Sequence, residues 1–141
     1  MKHPERLEDY LEHIAEAIER ATGYLQPVPD IAAFQESPQV QDAVVRNIEI
    51  IGEAVNKINA AAPDFVQQDP DLPWAQMRAM RNIARHEYFF VDLKIVWTTV
   101  KNDFPALKRQ IDALLNRQRR VRRFAASPFR LSTYQESYPR D

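Results

Sequence analysis

The side chains best suited to catalysis lie in residues 81–88, which read RNIARHEY. His86 lies there with Tyr88 two positions later, and three arginines stand nearby: Arg78, Arg81 and Arg85. Histidine can both accept and donate a proton near neutral pH. Arginine holds a phosphate with a planar pair of N–H donors. Because these residue types occur together, the stretch favours phosphodiester chemistry over other reactions.

Helical geometry limits how these side chains can meet. On a helix turning about 100° per residue, Arg81, Arg85 and Tyr88 share one side. Asn82 and His86 share the neighbouring side. Arg81 and His86 are therefore about 140° apart around a straight helix, which would not point both at one phosphate. Either the helix ends near His86, or two chains contribute to one site.

A simpler interpretation remains open beside the catalytic one. His86 can be a partner of a helix C-terminus, with the arginines forming a solvated face, and the residue types alone favour this. One detail favours function. Arg78 and Arg81 share a face, and no acidic residue lies four positions before either. Like charges this close repel one another unless an anion lies between them.

Composition excludes several classes of site. With 141 residues and 45% hydrophobic residues, the chain fits one soluble domain. The absence of cysteine excludes disulfides, thiolate catalysis and cysteine-based zinc sites, and it fits a cytoplasmic location. No stretch approaches the roughly 18 apolar residues of a membrane span, and the N-terminus does not resemble a signal peptide. We expect no metal and no cofactor.

Charge is distributed unevenly along the chain. Residues 1–116 carry 12 basic and 18 acidic side chains, whereas residues 117–141 carry 7 and 2. An acidic body is not a general nucleic-acid binder, so any such binding needs a local patch or the basic end. The arginines between 117 and 123 can form a solvated helix end or contact a nucleic acid or protein partner.

Apolar spacing predicts an all-α, up-and-down bundle of about five helices. The first begins at Pro4, and the second at Ser37–Pro38. Further helices begin near Trp74, after Asp92, and at Asp103–Pro105, whereas residues 63–72 are predicted to be a loop. The bundle is assigned to residues 1–116. Residues 117–141 are predicted to be a basic tail, poorly ordered from 124, although the arginines before that can extend the last helix.

Gly52 interrupts the strongest apolar pattern of the chain. Val44, Ile48, Ile51 and Val55 recur at spacings of four, three and four around it. A glycine inside a helix costs about 1 kcal/mol relative to alanine. We therefore expect another helix to approach closely at this position.

The motif Arg81-x4-His86-x-Tyr88, with Asn82 after the arginine, resembles the signature of the HepT-like ribonuclease toxins of the HEPN superfamily. Other segments follow in the same order: Asn47 to Ala54 (NIEIIGEA), Leu72–Pro73–Trp74, Val96–Trp97, and Asn102–Asp103–Phe104–Pro105. The resemblance covers about residues 5–115. It does not extend to the chain beyond residue 116.

This resemblance implies a homodimer with its site in a cleft between subunits, and a metal-independent RNA nuclease. His86 would act as general acid and base on a ribose 2′-hydroxyl. Arg81 would stabilise charge on the phosphorane and Asn82 would orient the phosphate. Arg78 and Arg85 are candidates for binding RNA phosphates.

It also implies a partner, a nucleotidyltransferase antitoxin that silences the toxin by adding AMP to Tyr88. Two other functions remain open. One is a non-catalytic helical module that binds nucleotide or docks a nucleotidyltransferase through the same arginines, and the other is a structural dimerisation bundle.

Overall fold

The computed structural model describes residues 4–82 and 92–126, with side chains from residue 7, and every regular element in these ranges is helical. The elements are α1 (Pro4–Leu25), α2 (Ile31–Gln35), α3 (Pro38–Ala61), α4 (Pro63–Gln68), α5 (Trp74–Ala79), a 3₁₀ turn (Met80–Asn82), α6 (Leu93–Thr98), a π-helical turn (Thr99–Asp103) and α7 (Phe104–Ala126). The prediction of an all-α fold is confirmed. Dimerisation stays a prediction.

The core lies between the two longest early helices and the last one. α1 packs along α3 and also against α7, while α5 and the 3₁₀ turn pack on α3. The predicted apolar stripes are the buried ones, because residues spaced three and four apart share one helix face. The buried side chains of α1 and α3 include Leu11, Ile14, Ile18, Leu25, Val44, Ile48, Ile51, Val55 and Ile58.

The prediction of a loop at 63–72 is wrong for its first half. Pro63 is the first residue of α4, and Asp64 lies in the first turn of that helix. Proline suits this position because its missing N–H has no helical acceptor there, and a carboxylate is favourable near the positive end of the helix. Three aspartates and two prolines indicated a loop, although Pro63 and Asp64 together form a helix start.

The predicted last two helices are joined, and Pro105 does not begin a new one. The backbone stays right-handed helical from Thr98 to Phe104, and the Phe104 N–H donates to the Thr99 oxygen five residues earlier. In a regular α-helix, the Pro105 ring would clash with the Lys101 carbonyl. The wider π turn accommodates a proline there. α6, the π turn and α7 therefore form one continuous helical segment.

α7 passes residue 116 without a break and ends at Ala126. Residues 117–126 are therefore helical, and three of their arginines pair with acidic residues elsewhere in the chain: Arg117 with Asp69, Arg119 with Glu12, and Arg122 with Glu8. The rest of the predicted basic tail, residues 127–141, lies outside the described residues. No helix in the described part of the chain is long and apolar enough to cross a membrane.

Candidate functional site

The site is built on a direct backbone contact between Gly52 and Arg81. Gly52 is buried in the middle of α3. A Cβ placed on it would lie 2.2 Å from the Arg81 backbone nitrogen and 2.8 Å from the Arg81 Cα. No side chain can fit there without moving backbone, so only glycine permits this approach. The expected close approach at Gly52 is confirmed, and it fixes the backbone of Arg81 against α3.

The helix before Arg81 is oriented by two buried side chains. Trp74 and Met77 point into the core and are 8% and 0% exposed. The Trp74 indole N–H donates to the Asp69 carbonyl at 2.8 Å, and the Trp74 ring meets the edge of Phe65 at 6.3 Å between centroids. Because these residues face inward, Ala75, Arg78 and Ala79 are left on the outer side of α5.

The helix changes type immediately before Arg81. The Met80 N–H donates to the Met77 carbonyl three residues earlier, and residues Met80–Asn82 continue as a 3₁₀ turn. A 3₁₀ turn has about 3.0 residues per turn rather than 3.6. The separation of Arg81 and His86 calculated for one straight α-helix therefore does not apply past Ala79.

Arg78, Arg81 and Asn82 line one open depression together with Ala75 and Ala79. Its volume is about 430 Å³. Arg81 is half-buried, whereas Arg78 and Asn82 are exposed. The two alanines, four residues apart, leave space between the longer side chains. The sequence interpretation missed these alanines, although their spacing from Arg78 and Asn82 places all four residues on one helix face.

The two arginines of the depression have no carboxylate partner among the described residues. The ion pairs of this region of the chain involve neither Arg78 nor Arg81; the nearest one along the sequence is Arg117 with Asp69, at 2.7 Å. Two guanidinium groups three residues apart repel each other, and a bound anion removes that repulsion. A phosphate also matches the donor geometry of an arginine, and Asn82 adds an amide.

Three of the predicted site residues thus come together, and three cannot be placed. Arg85, His86 and Tyr88 lie outside the described residues. The part of the chain that the structure describes contains no group of three or more His, Cys, Asp or Glu side chains able to hold a metal ion.

Comparison with known proteins assigns the family. The family model for ribonuclease HepT-like proteins matches residues 14–114. The chain belongs to the ribonuclease HepT-like family. It is 42% identical over 106 residues to a protein of Thermococcus cleftensis named "Probable ribonuclease HepT", covering 75% of this chain and 93% of that one. No solved structure matches the chain.

A second relative has a similar length. A protein of Caldanaerobacter subterraneus subsp. tengcongensis named "Putative RNase" is 33% identical over 114 residues, covering 78% of this chain and 95% of that one. The HepT-like match includes Gly52, the depression and residues 81–88, but it ends at residue 114. The last turns of α7 are therefore outside the matched region.

Proposed function

We propose that this HepT-like chain is an RNA endonuclease that acts as a toxin. The observation that carries the proposal is the pair of guanidinium groups on Arg78 and Arg81, which lie beside Asn82 in an open depression and have no carboxylate partner among the described residues. The Arg81 backbone packs against Gly52, so the backbone atoms that carry the guanidinium side chain have a fixed position. Such a group can bind a phosphate and stabilise added charge on it without large reorganisation.

The proposed reaction is metal-independent transesterification of RNA. His86 removes the proton from a ribose 2′-hydroxyl, whose oxygen attacks the adjacent phosphorus and displaces the 5′ oxygen of the next nucleotide. The imidazolium returns a proton to that leaving oxygen, which gives a 2′,3′-cyclic phosphate and a free 5′-hydroxyl. Arg81 stabilises the phosphorane, Asn82 orients the phosphate, and Arg78 and Arg85 bind neighbouring phosphates.

A homodimer completes the proposed site. Arg81 and His86 of one chain would face a cleft shared with a second copy, which doubles the number of cationic groups around the scissile phosphate. The depression at Arg78 and Arg81 is open to the surface, so its arginines are accessible to a second copy or to an RNA phosphate. Sedimentation of the protein at several concentrations tests this; a monomer that cleaves RNA would refute the shared cleft.

The proposed regulation acts on Tyr88. A nucleotidyltransferase partner would add AMP to its hydroxyl, and the added phosphate would occupy the arginines while the adenosine blocks the cleft. Tyr88→Phe should cleave RNA normally and escape silencing when it is incubated with the partner and ATP. A Tyr88→Phe protein that the partner still silences would exclude Tyr88 as the modified residue.

The nuclease proposal is tested with purified protein, tRNA and mRNA in EDTA. Wild type should cleave, and His86→Ala should lose about 100-fold or more of the activity, because general acid–base catalysis contributes that much. Equal cleavage by both proteins would refute the role of His86. Cleavage of neither RNA by wild type would refute the enzyme assignment.

A second candidate is a non-catalytic module that binds nucleotide or docks a nucleotidyltransferase. The excess of acidic side chains in residues 1–116 favours it, because an acidic body suits a protein partner better than RNA. Nucleotide binding that survives His86→Ala, fails with Arg81→Ala and occurs without RNA cleavage would support this candidate over the nuclease.

A further inference from the structure

The last helix carries an unusual concentration of basic side chains. Residues 104–126 contain seven Lys and Arg residues and a single acidic one, Asp112. Lys108 pairs with Asp112 at 2.6 Å. Three arginines, at positions 117, 119 and 122, pair with carboxylates of α1 and of the segment after α4. These four basic groups are neutralised by carboxylates of the chain itself.

Three arginines of α7 remain exposed with no carboxylate partner among the described residues: Arg109, Arg120 and Arg123. We call them the α7 arginine stripe. They are spaced eleven and three residues apart, so they lie on one helix face, opposite the buried Ile111 and Leu114. Asn116 lies between them on the same face, and Asp112, at the edge of that face three residues after Arg109, is paired with Lys108. From Arg109 to Arg123 the stripe is about 21 Å long, at 1.5 Å per residue.

We propose that the α7 arginine stripe binds the phosphate backbone of the RNA substrate, outside the depression at Arg78 and Arg81. This rests on the proposed nuclease function for the identity of the polyanion. A line of arginines whose one acidic neighbour on the helix, Asp112, already pairs with Lys108 attracts a polyanion and gains from releasing its counterions. Residues 1–116 carry more acidic than basic side chains, so we expect an RNA backbone to favour the stripe and the depression, whose arginines have no carboxylate partner among the described residues.

The stripe is connected structurally to the depression. Arg117, one turn before Arg120, donates two hydrogen bonds to the Asp69 carboxylate at 2.7 and 2.8 Å. Gln110, beside Arg109, donates to the Asp71 carbonyl at 3.5 Å. Asp69 and Asp71 belong to the segment that leads directly into α5. The indole N–H of Trp74, the first residue of α5, donates to the Asp69 carbonyl of that segment. These contacts join α7 to the segment that leads into the depression.

Two of the three stripe arginines lie beyond the matched family region, whereas Arg109 lies inside it. The ribonuclease HepT-like match ends at residue 114, before Arg120 and Arg123. These residues lie on turns that extend beyond it, where the helix is fastened to α1 through Arg119 and Arg122. The fastening keeps the turns folded, so Arg120 and Arg123 hold a fixed position.

The test is a charge-matched pair of triple variants. Arg109→Gln, Arg120→Gln and Arg123→Gln are combined in one protein. Arg20→Gln, Arg46→Gln and Lys57→Gln are combined in the control. All six side chains are exposed, and the two on α3 lie about 120° or more around that helix from Gly52. Both variants lose three positive charges, so a difference between them reflects position and not net charge. Thermal melting confirms that both are folded.

Binding is measured by fluorescence anisotropy with a labelled 20-nucleotide 2′-O-methyl RNA, which cannot be cleaved, across a range of NaCl concentrations. The stripe variant should bind about tenfold or more weakly near 150 mM salt, and its log–log salt slope should fall by about two, at roughly 0.7 per lost phosphate contact. The control variant should match wild type more closely. Equal affinity and slope in the two variants would overturn the proposal.

Two further outcomes separate this proposal from others. If wild type cleaves RNA and the stripe variant keeps the wild-type salt slope, the stripe proposal is refuted and the nuclease proposal stands. If wild type binds RNA without cutting it and the stripe variant loses that binding, the stripe proposal is supported and the nuclease proposal is refuted. Polyglutamate that competes as well as unlabelled RNA would overturn the assignment to RNA, because the stripe would then bind any acidic chain.

Discussion

Two pairs of arginines have the same charge and different surroundings: Arg78 and Arg81, on α5 and the 3₁₀ turn after it, and Arg119 and Arg122, on the last turns of α7. Arg78 and Arg81 have no carboxylate partner among the described residues and line an open depression. Arg119 and Arg122 pair with Glu12 and Glu8 of α1. Paired arginines fasten one helix to another, whereas unpaired ones remain able to bind an external anion. The position of acidic residues, rather than the density of arginines, therefore indicates which individual arginines remain able to bind an external anion.

We expect the largest effect from a substitution that disturbs the backbone contact between Gly52 and Arg81. Gly52→Ala should destabilise the protein by about 1–3 kcal/mol, because the new Cβ would overlap backbone atoms that must move. It should also lower RNA cleavage, since the guanidinium of Arg81 moves with its backbone. Thermal melting and cleavage rates measure the two effects.

Gly23→Ala is the matched control for that substitution. Nothing lies within 4 Å of a Cβ placed on Gly23 in α1. This change should therefore be neutral or stabilise by up to about 1 kcal/mol, because alanine favours helix more than glycine. If Gly52→Ala melts at or above the temperature of Gly23→Ala, then the close contact with Arg81 is absent in solution.

The paired region is tested at a buried carboxylate. Glu8 is only 6% exposed, and its partner is Arg122. Arg122→Ala should cost about 1–3 kcal/mol, because it leaves a buried acceptor without this donor. RNA cleavage below the melting temperature should be unchanged. Denaturant unfolding measures the loss.

A second substitution at that pair identifies the cause of the loss. Adding Glu8→Met to Arg122→Ala removes the orphaned carboxylate and should recover most of the stability, as replacing both members of a buried pair can be nearly neutral. Arg123→Ala, which changes an exposed neighbour, should shift stability by less than about 0.5 kcal/mol. A double variant less stable than Arg122→Ala would show that the unpaired charge of Glu8 does not cause the loss of stability in Arg122→Ala.

The smallest effect is expected at the more exposed ion pair that joins α7 to the segment after α4. Arg117→Ala should cost about 0.2–1 kcal/mol, because its pair with Asp69 is largely solvated. The segment before α5 should open more often, which amide hydrogen exchange at Leu72 and Trp74 would detect. Unchanged exchange at both amides would mean that Arg117 does not help to hold this segment.

The helices that form the core were predictable because their information is local. In α1 and α3, apolar residues recur at three and four, and those faces are the buried ones. Gly52 was predictable as a close contact for the same reason, since an interior glycine needs a compensating approach. The partner in that contact, Arg81, was not predictable from spacing.

The elements that the sequence analysis did not predict depend on details that the spacing of apolar residues does not show. α4 begins at a proline that also suits a loop, and the π turn admits Pro105 inside a continuous helix. The pairing of Arg119 with Glu12 joins positions 107 residues apart. No local pattern indicates such a contact, so the basic residues after 116 could not be divided into paired and unpaired ones.

The candidate site shows the same division. Arg78 and Arg81 were selected from residue type and Asn82 from the family resemblance, and the three lie together because one short helix and a 3₁₀ turn carry them. The roles of His86, Arg85 and Tyr88 stay predictions from the resemblance. Ala75 and Ala79 were not selected, because small residues show no chemistry of their own.

The most direct test compares RNA cleavage by wild type, Arg81→Ala and Arg119→Ala in EDTA, below the melting temperature of all three. Each variant loses one arginine, one from the unpaired cluster and one from the paired cluster. At saturating RNA, we predict that Arg81→Ala cleaves about 100-fold or more slowly, as expected when a transition-state donor is removed, and that Arg119→Ala cleaves at the wild-type rate. Equal rates for the two variants would contradict the proposed role of the unpaired arginine.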